Sequence, residues 1–152
     1  MVKVRVRVFK HQDAGRLLAI AKSLGYFSLK DLKNMRLDAE RNHCLVATVN
    51  SRPAGFIVFK AASLKGKILW LAVRKNCQGF GLGGKLLKSA ENRIKARKAS
   101  KVLLHTFGFS GSYFPFFKVR EFYYRHGFQR LREIPNGFMP GVDKLVMFKE
   151  FG

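Results

Sequence analysis

Acidic residues are scarce: nine Asp and Glu stand against thirty Lys and Arg in 152 residues, a formal net charge of +21. Such a surface repels small cationic substrates and attracts anionic partners. Cysteine is almost missing, and Cys44 and Cys77 make neither a disulfide framework nor a metal-ligand set. No uninterrupted apolar run approaches the roughly 18 residues of a transmembrane helix. Residues 1–10 alternate Val with Lys or Arg, which reads as a strand and not as a secretory h-region. There is no internal repeat, linker or low-complexity stretch. These absences point to a soluble, cytoplasmic protein, without membrane span or metal, folded as a single domain over residues 1–152.

What is present is apolar mass. Apolar residues make up 47% of the chain and Phe alone contributes 15, enough to bury a core and to exclude disorder. The chain is organised around Gln78-Gly79-Phe80-Gly81-Leu82-Gly83-Gly84-Lys85-Leu86-Leu87. The apolar run 68–73 enters this stretch and a helical pattern leaves it. Strand, glycine loop and helix together form an anion site, because glycine lets backbone N–H groups approach phosphate and the helix N-terminus adds partial positive charge.

Three patterns fit the loop. Gly79, Gly84 and Lys85 start a Walker A loop, but Leu86 stands where Ser or Thr must hold magnesium. Gly79, Gly81 and Gly84 fit G-x-G-x-x-G, which needs an acid about 20 residues on for the ribose. The next predicted strand, 102–107, ends without one. Gln78, Gly81 and Gly83 fit Gln/Arg-x-x-Gly-x-Gly/Ala, and nothing nearby contradicts it. Further on, Phe122-Tyr123-Tyr124-Arg125-His126-Gly127-Phe128 fits F-Y-x-x-x-G-F.

In this order and spacing the two motifs resemble the GCN5-related N-acetyltransferases (GNAT) along essentially the whole chain. The resemblance implies a mixed, mainly antiparallel α/β sheet flanked by helices, with splayed central strands holding acetyl-CoA. It implies backbone contacts to the pantetheine arm from Leu71, Ala72 and Val73. Gln78, Gly79, Gly81, Gly83 and Gly84 would hold the pyrophosphate, with Phe80, Leu82 and Lys85 adding main-chain or charge contacts. Tyr123 matches the family's general acid, which protonates the leaving thiolate; an ordinary phenol, with pKa about 10, suits that task. Tyr124 is its neighbour on another helix face, and both also read as core aromatics.

Along the chain, Val2, Val4, Val6 and Val8 alternate with basic residues in a first strand. Asp13 is placed to cap a helix that carries Leu17, Leu18, Ala21 and Leu24 inward and stops at Gly25. Ser28 and Asp31 form a capping-box pattern, with Phe27 and Leu32 as its staple, for a helix running to about Glu40. Residues 43–50 and 55–62 form a hairpin joined by Asn50-Ser51-Arg52-Pro53. The helix after the glycine loop should bury Leu82, Leu86, Leu87, Ala90 and Ile94, and expose Lys85, Lys88, Arg93, Lys95, Arg97 and Lys98. Residues 101–107 form a strand, and the aromatic-rich segment 108–115 departs from the family pattern. Then come a helix over 118–126, a strand over 128–134, a loop over 135–141 and a last strand over 145–151.

The general base is not legible. Relatives often place a Glu on the central strand, but residues 68–73 hold no carboxylate, leaving Glu40, Glu121, Glu133, His105 or a water relay. Cys77 borders the loop with no adjacent His to activate it. The reading is an acetyl-CoA-dependent N-acetyltransferase working by direct amine attack in a ternary complex. A cofactor's phosphates cannot account for +21, so the acceptor is open between protein-linked and RNA-linked amines, with polyamines last, and a nucleic-acid or ribosomal partner is open too. The alternative is a non-catalytic or weakly catalytic nucleic-acid-binding module on the same fold.

Overall fold

Local signals place most of the elements. The structure is a computed structural model that describes residues 2–108 and 114–152. Its order is β1 (Val4–Val8), α1 (Ala14–Leu24), α2 (Leu29–Arg41), β2 (His43–Val49), β3 (Arg52–Ala61), β4 (Lys65–Val73), α3 (Leu82–Ala96), β5 (Lys101–Phe107), α4 (Phe114–Arg125), β6 (Gln129–Met139) and β7 (Val142–Glu150). This is the order that the sequence predicts. The strands form one seven-stranded sheet, β1-β2-β3-β4-β5-β7-β6, antiparallel at every junction except the parallel pair β4–β5.

Helices cover both faces. On one, Leu82, Leu86, Leu87, Ala90 and Ile94 of α3 and Tyr123 of α4 pack against Phe59, Ile68, Val102 and Leu104. On the other, Leu17, Ile20 and Met35 of α1 and α2 cover Val46, Phe56 and Val58. Each such fully buried side chain contributes about 1.5–3 kcal/mol of hydrophobic stabilisation. The cationic positions expected outside α3 are all exposed. Among the described residues no helix is long and apolar enough to cross a membrane.

Several helix ends match their signals. Gly25 takes φ +80° after α1. Ser28 accepts from the Asp31 N–H while Asp31 accepts from the Ser28 N–H, both at 3.0 Å. Asp13 does not cap α1. Its carboxylate accepts from Arg7 at 2.8 and 2.9 Å and from the Lys10 N–H at 2.8 Å, closing a short 3₁₀ turn (His11–Asp13) instead. The Arg7 guanidinium adds charge attraction and two parallel hydrogen bonds, which the amides at the start of α1 do not offer.

Two turns are tighter than the sequence suggests. The β2–β3 turn is Asn50-Ser51 alone, with φ +49° and +69°, and β3 already contains Arg52 and Pro53. Both positive angles suit the two-residue turn whose twist matches a hairpin. The expected loop over 135–141 is largely strand: β6 runs to Met139, with register shifts at Arg130/Arg132 and Ile134/Met139. Asn136, at φ +52°, makes this possible. Its N–H donates to Asp143 at 2.9 Å and its side-chain oxygen accepts from the Gly141 N–H at 2.7 Å. Of the expected aromatic segment 108–115, residues 109–113 lie outside the described residues.

Candidate active site

The site begins with a fault in β4. Val58 pairs with Trp70, but the next β3 residue, Phe59, pairs with Ile68, so Leu69 is an extra residue bulging from the ladder. Bulges increase local twist and end pairing. On the other edge of β4, the ladder to β5 stops at the same point, its last pair being Ile68 with Leu104. Beyond it, Leu71, Ala72 and Val73 stay paired to Ile57, Phe56 and Gly55 of β3, with no ladder partner on the β5 side among the described residues. These three residues therefore present a strand edge with no ladder partner, though the Val73 carbonyl is taken by the Gln78 side chain.

The loop follows at once. The Gln78 side chain donates to the Val73 carbonyl at 3.1 Å and ties the loop to the strand end. Gly79 and Gly81 take φ +88° and +80°, with open space where a Cβ would stand. Helical hydrogen bonding starts with the Lys85 N–H donating to Gly81 O at 3.1 Å. The N–H groups of Gly81, Leu82, Gly83 and Gly84 donate to no backbone carbonyl among the described residues. No acid stands in the first turn of α3 to neutralise its dipole, and Lys85 is exposed beside it. Phe80 is 74% exposed, whereas the Leu82 side chain is buried, so only its N–H faces the loop.

Gly83 and Gly84 serve a second purpose that the motif does not reveal. Their Cα atoms face α4, Gly83 towards Phe122 and Gly84 towards His126. The His126 Nδ1 lies 2.8 Å from Phe122 O. A carbonyl can only accept, so Nδ1 is the donor in this contact, and Nε2 faces the first turn of α3. Neither Phe122 nor His126 is recognisable as a site neighbour in the sequence, because the contact joins two helices distant in the chain.

At the end of α4, Gly127 takes φ +90°. The Phe128 N–H donates to Tyr123 O at 3.0 Å and the Gly127 N–H to Tyr124 O at 3.1 Å. This is the Schellman arrangement, and the Tyr123 and Phe128 rings supply its apolar contact edge-on at 5.5 Å. The cap fixes Tyr123 in the core at 7% exposure, while Tyr124 is half-buried. Burial, with Tyr26 nearby, pushes the Tyr123 phenol well above its ordinary range. The expectation of an unperturbed phenol is therefore corrected: a buried phenolate lacks solvation, so the proton is held more tightly.

The base candidates scatter. Glu40 lies 3.6 Å from both Arg36 and His11 on the α2 side. Glu133 pairs with Arg130 at 3.6 Å and lies beside Gly108. Glu121 is exposed on α4. His105 stands on the sheet face opposite α3, and partial desolvation of its ring, then Lys67, Lys144 and Arg132, lower its pKa to about 4. The basic residues divide as well. Arg5 and Arg7 pair with Thr48 and Val46, on the face opposite α3, and Arg7 is engaged by Asp13, so they do not extend the α3 cationic face. Among the described residues no group of three or more His, Cys, Asp or Glu could hold a metal.

The acetyltransferase (GNAT) domain family model matches residues 40–130, which include the free edge, the loop and Tyr123. An uncharacterized N-acetyltransferase of Methanocaldococcus jannaschii is 30% identical over 115 residues, covering 69% of this chain and 64% of that protein, so the match spans less than two thirds of its length. A GNAT-family protein from Desulfovibrio desulfuricans superposes with a TM-score of 0.85 at 22% identity, over 99% of both chains. The PaiA N-acetyltransferase of Thermoplasma acidophilum, solved in complex with coenzyme A, superposes with a TM-score of 0.76 at 19% identity over 98% of this chain and 99% of that one.

Proposed function

The chain belongs to the GNAT acetyltransferase family, and from that premise we propose that it transfers an acetyl group from acetyl-CoA to an amine by direct attack in a ternary complex. One observation carries the reading: the β4 bulge, the end of the β4–β5 ladder and the run of unpartnered loop amides meet at one place. The residues suit the cofactor. Leu71, Ala72 and Val73 offer a free strand edge to the amides of the pantetheine arm, in the manner of strand addition. The amides of residues 78–84, with the α3 dipole and Lys85, suit a pyrophosphate. Both cysteines are free thiols, which fits a reducing, cytoplasmic compartment.

Acetyl-CoA supplies an activated thioester. The backbone edge of β4 would align its carbonyl with the incoming amine. The amine lone pair forms the C–N bond as the C–S bond breaks, and Tyr123 gives its phenolic proton to the departing sulfur and regains one from solvent. A phenol held protonated by burial stays in the acid form throughout the neutral range. The proton lost by the amine leaves through water, since no carboxylate stands among residues 68–73. The net charge of +21 favours an acceptor on an acidic macromolecule, protein- or RNA-linked.

Release of CoA thiol from acetyl-CoA, with amine-bearing peptides and with RNA as acceptors, tests the reading. Acceptor-dependent thiol release that Tyr123→Phe suppresses supports it. Acetyl-CoA binding with no release on any acceptor favours the binding module.

A further inference from the structure

The sheet face opposite α3 is covered only in part. Among the described residues, the cluster under α1 and α2 draws its strand residues from β2, β3 and β4 and none from β5, β6 or β7. Beyond that cluster, around the buried Val146, the registers set side chains in rows. Lys60 stands beside Lys67, and Lys67 beside Leu103, which pairs with Phe148. His105 pairs with Val146, itself paired with Arg132, and Lys144 pairs with Ile134. Five neighbouring strands, β3, β4, β5, β7 and β6, thus place Lys60, Lys67, His105, Lys144 and Arg132 on one face. At about 4.8 Å between strands this row spans roughly 19 Å.

Lys60, Lys67, Lys144 and Arg132 form no ion pair with a carboxylate among the described residues. An opposing charge felt by Lys67 is Asp38 on α2, whose carboxylate accepts from the Trp70 indole at 2.7 Å. Burial, followed by repulsion from Lys60, Lys144 and Lys65, lowers the Lys67 pKa. Aromatic surface lies among the charges: Phe148 sits in the row, and the 40%-exposed Phe138 carries Lys144 Nζ at 5.4 Å from its ring centre.

We infer that this face binds single-stranded nucleic acid, its cations meeting phosphates and its aromatic surface meeting bases. Cations at strand spacing alone would equally suit an acidic peptide. Interleaved aromatic rings decide for nucleic acid, because every base offers a face to stack on and a carboxylate side chain does not. The face is distinct from the acetyl-CoA loop, which lies at the α3 N-terminus, so the inference stands or falls apart from acetyl transfer.

Fluorescence anisotropy with a labelled single-stranded RNA of about 12 nucleotides tests it. The triple variant Lys67→Gln, Arg132→Gln, Lys144→Gln should bind at least about 10-fold more weakly, and the slope of log affinity against log salt should fall by about 2. Arg132→Gln alone should move the slope by about one third of that, guarding against loss of fold in the triple. The triple Lys88→Gln, Arg93→Gln, Lys95→Gln removes equal charge from α3 and should stay within about threefold of wild type. Undiminished binding in the sheet-face variants, equal losses in the two triples, or tighter binding of polyglutamate than of RNA would each overturn the inference.

Discussion

Gly83 in the first turn of α3 lies against the Phe122 ring of α4, so that a Cβ at Gly83 would come within 3.1 Å of Phe122 Cε1. The residue that leaves its N–H free for a phosphate is also the one that lets the Tyr123 helix approach. Gly83→Ala gains about 1 kcal/mol of helix propensity but overpacks the contact by about 1–3 kcal/mol. The net expectation is a loss of about 1 kcal/mol. Phe122→Leu should relieve it, giving a coupling of at least about 0.5 kcal/mol in a denaturation double-mutant cycle. Strict additivity would mean that the two helices accommodate a methyl group freely.

Tyr123→Phe keeps the ring that contacts Phe128 and deletes one proton. Acetyl-CoA affinity and melting temperature should stay nearly unchanged while turnover falls about 10²-fold. Tyr124→Phe, on a different face of α4, should behave like wild type. Steady-state kinetics on both variants checks the assignment, and the reverse pattern would transfer the acid to Tyr124.

His105 bears on the missing base. With its pKa lowered to about 4 by partial desolvation and by Lys67, Lys144 and Arg132, it is neutral throughout the physiological range. Its protonation cannot shape a rate profile around pH 7, and His105→Gln should leave the form of that profile intact. An inflection near the ordinary histidine value of about 6.5 that disappears in His105→Gln would contradict this.

The Arg7–Asp13 pair predicts acid sensitivity. The Arg7 hydrogen bonds hold the Asp13 carboxyl below its ordinary value of 3.8. A depressed carboxyl stabilises the fold above its unfolded pKa, and this contribution is lost as pH falls from about 4 through the folded value. Arg7→Met leaves Asp13 buried without its cation and should cost about 2 kcal/mol at neutral pH. Melts across that range should show less acid dependence in the variant than in wild type.

Much of the fold was legible because its signals are local. The apolar spacing of α3, the Ser28–Asp31 box and the Gly127 stop each act within a turn or two of chain, and each holds in the structure. What was not legible depends on partners distant in sequence. Strand alternation shows that Arg5 and Arg7 share a face, but not that this face lies opposite α3. Asp13 looks like a helix cap until Arg7 is brought beside it. The Leu69 bulge exists only relative to β3, so nothing within residues 68–73 announces it. Glycine spacing marks the loop, yet it does not separate Gly79 and Gly81, which open into space, from Gly83 and Gly84, which face α4.

The account rests on the loop amides holding acetyl-CoA, and calorimetric titration of acetyl-CoA into wild type and into the Gly79→Val, Gly81→Val double variant measures this directly. Both positions have positive φ, which a β-branched residue resists by about 1–2 kcal/mol each, and neither packs against the core. The prediction is saturable binding by wild type, weakened at least about 10²-fold in a double variant that still unfolds cooperatively, since two displaced loop amides at about 1.5 kcal/mol each amount to that factor. No binding by wild type, or equal affinity in the two proteins, would contradict it.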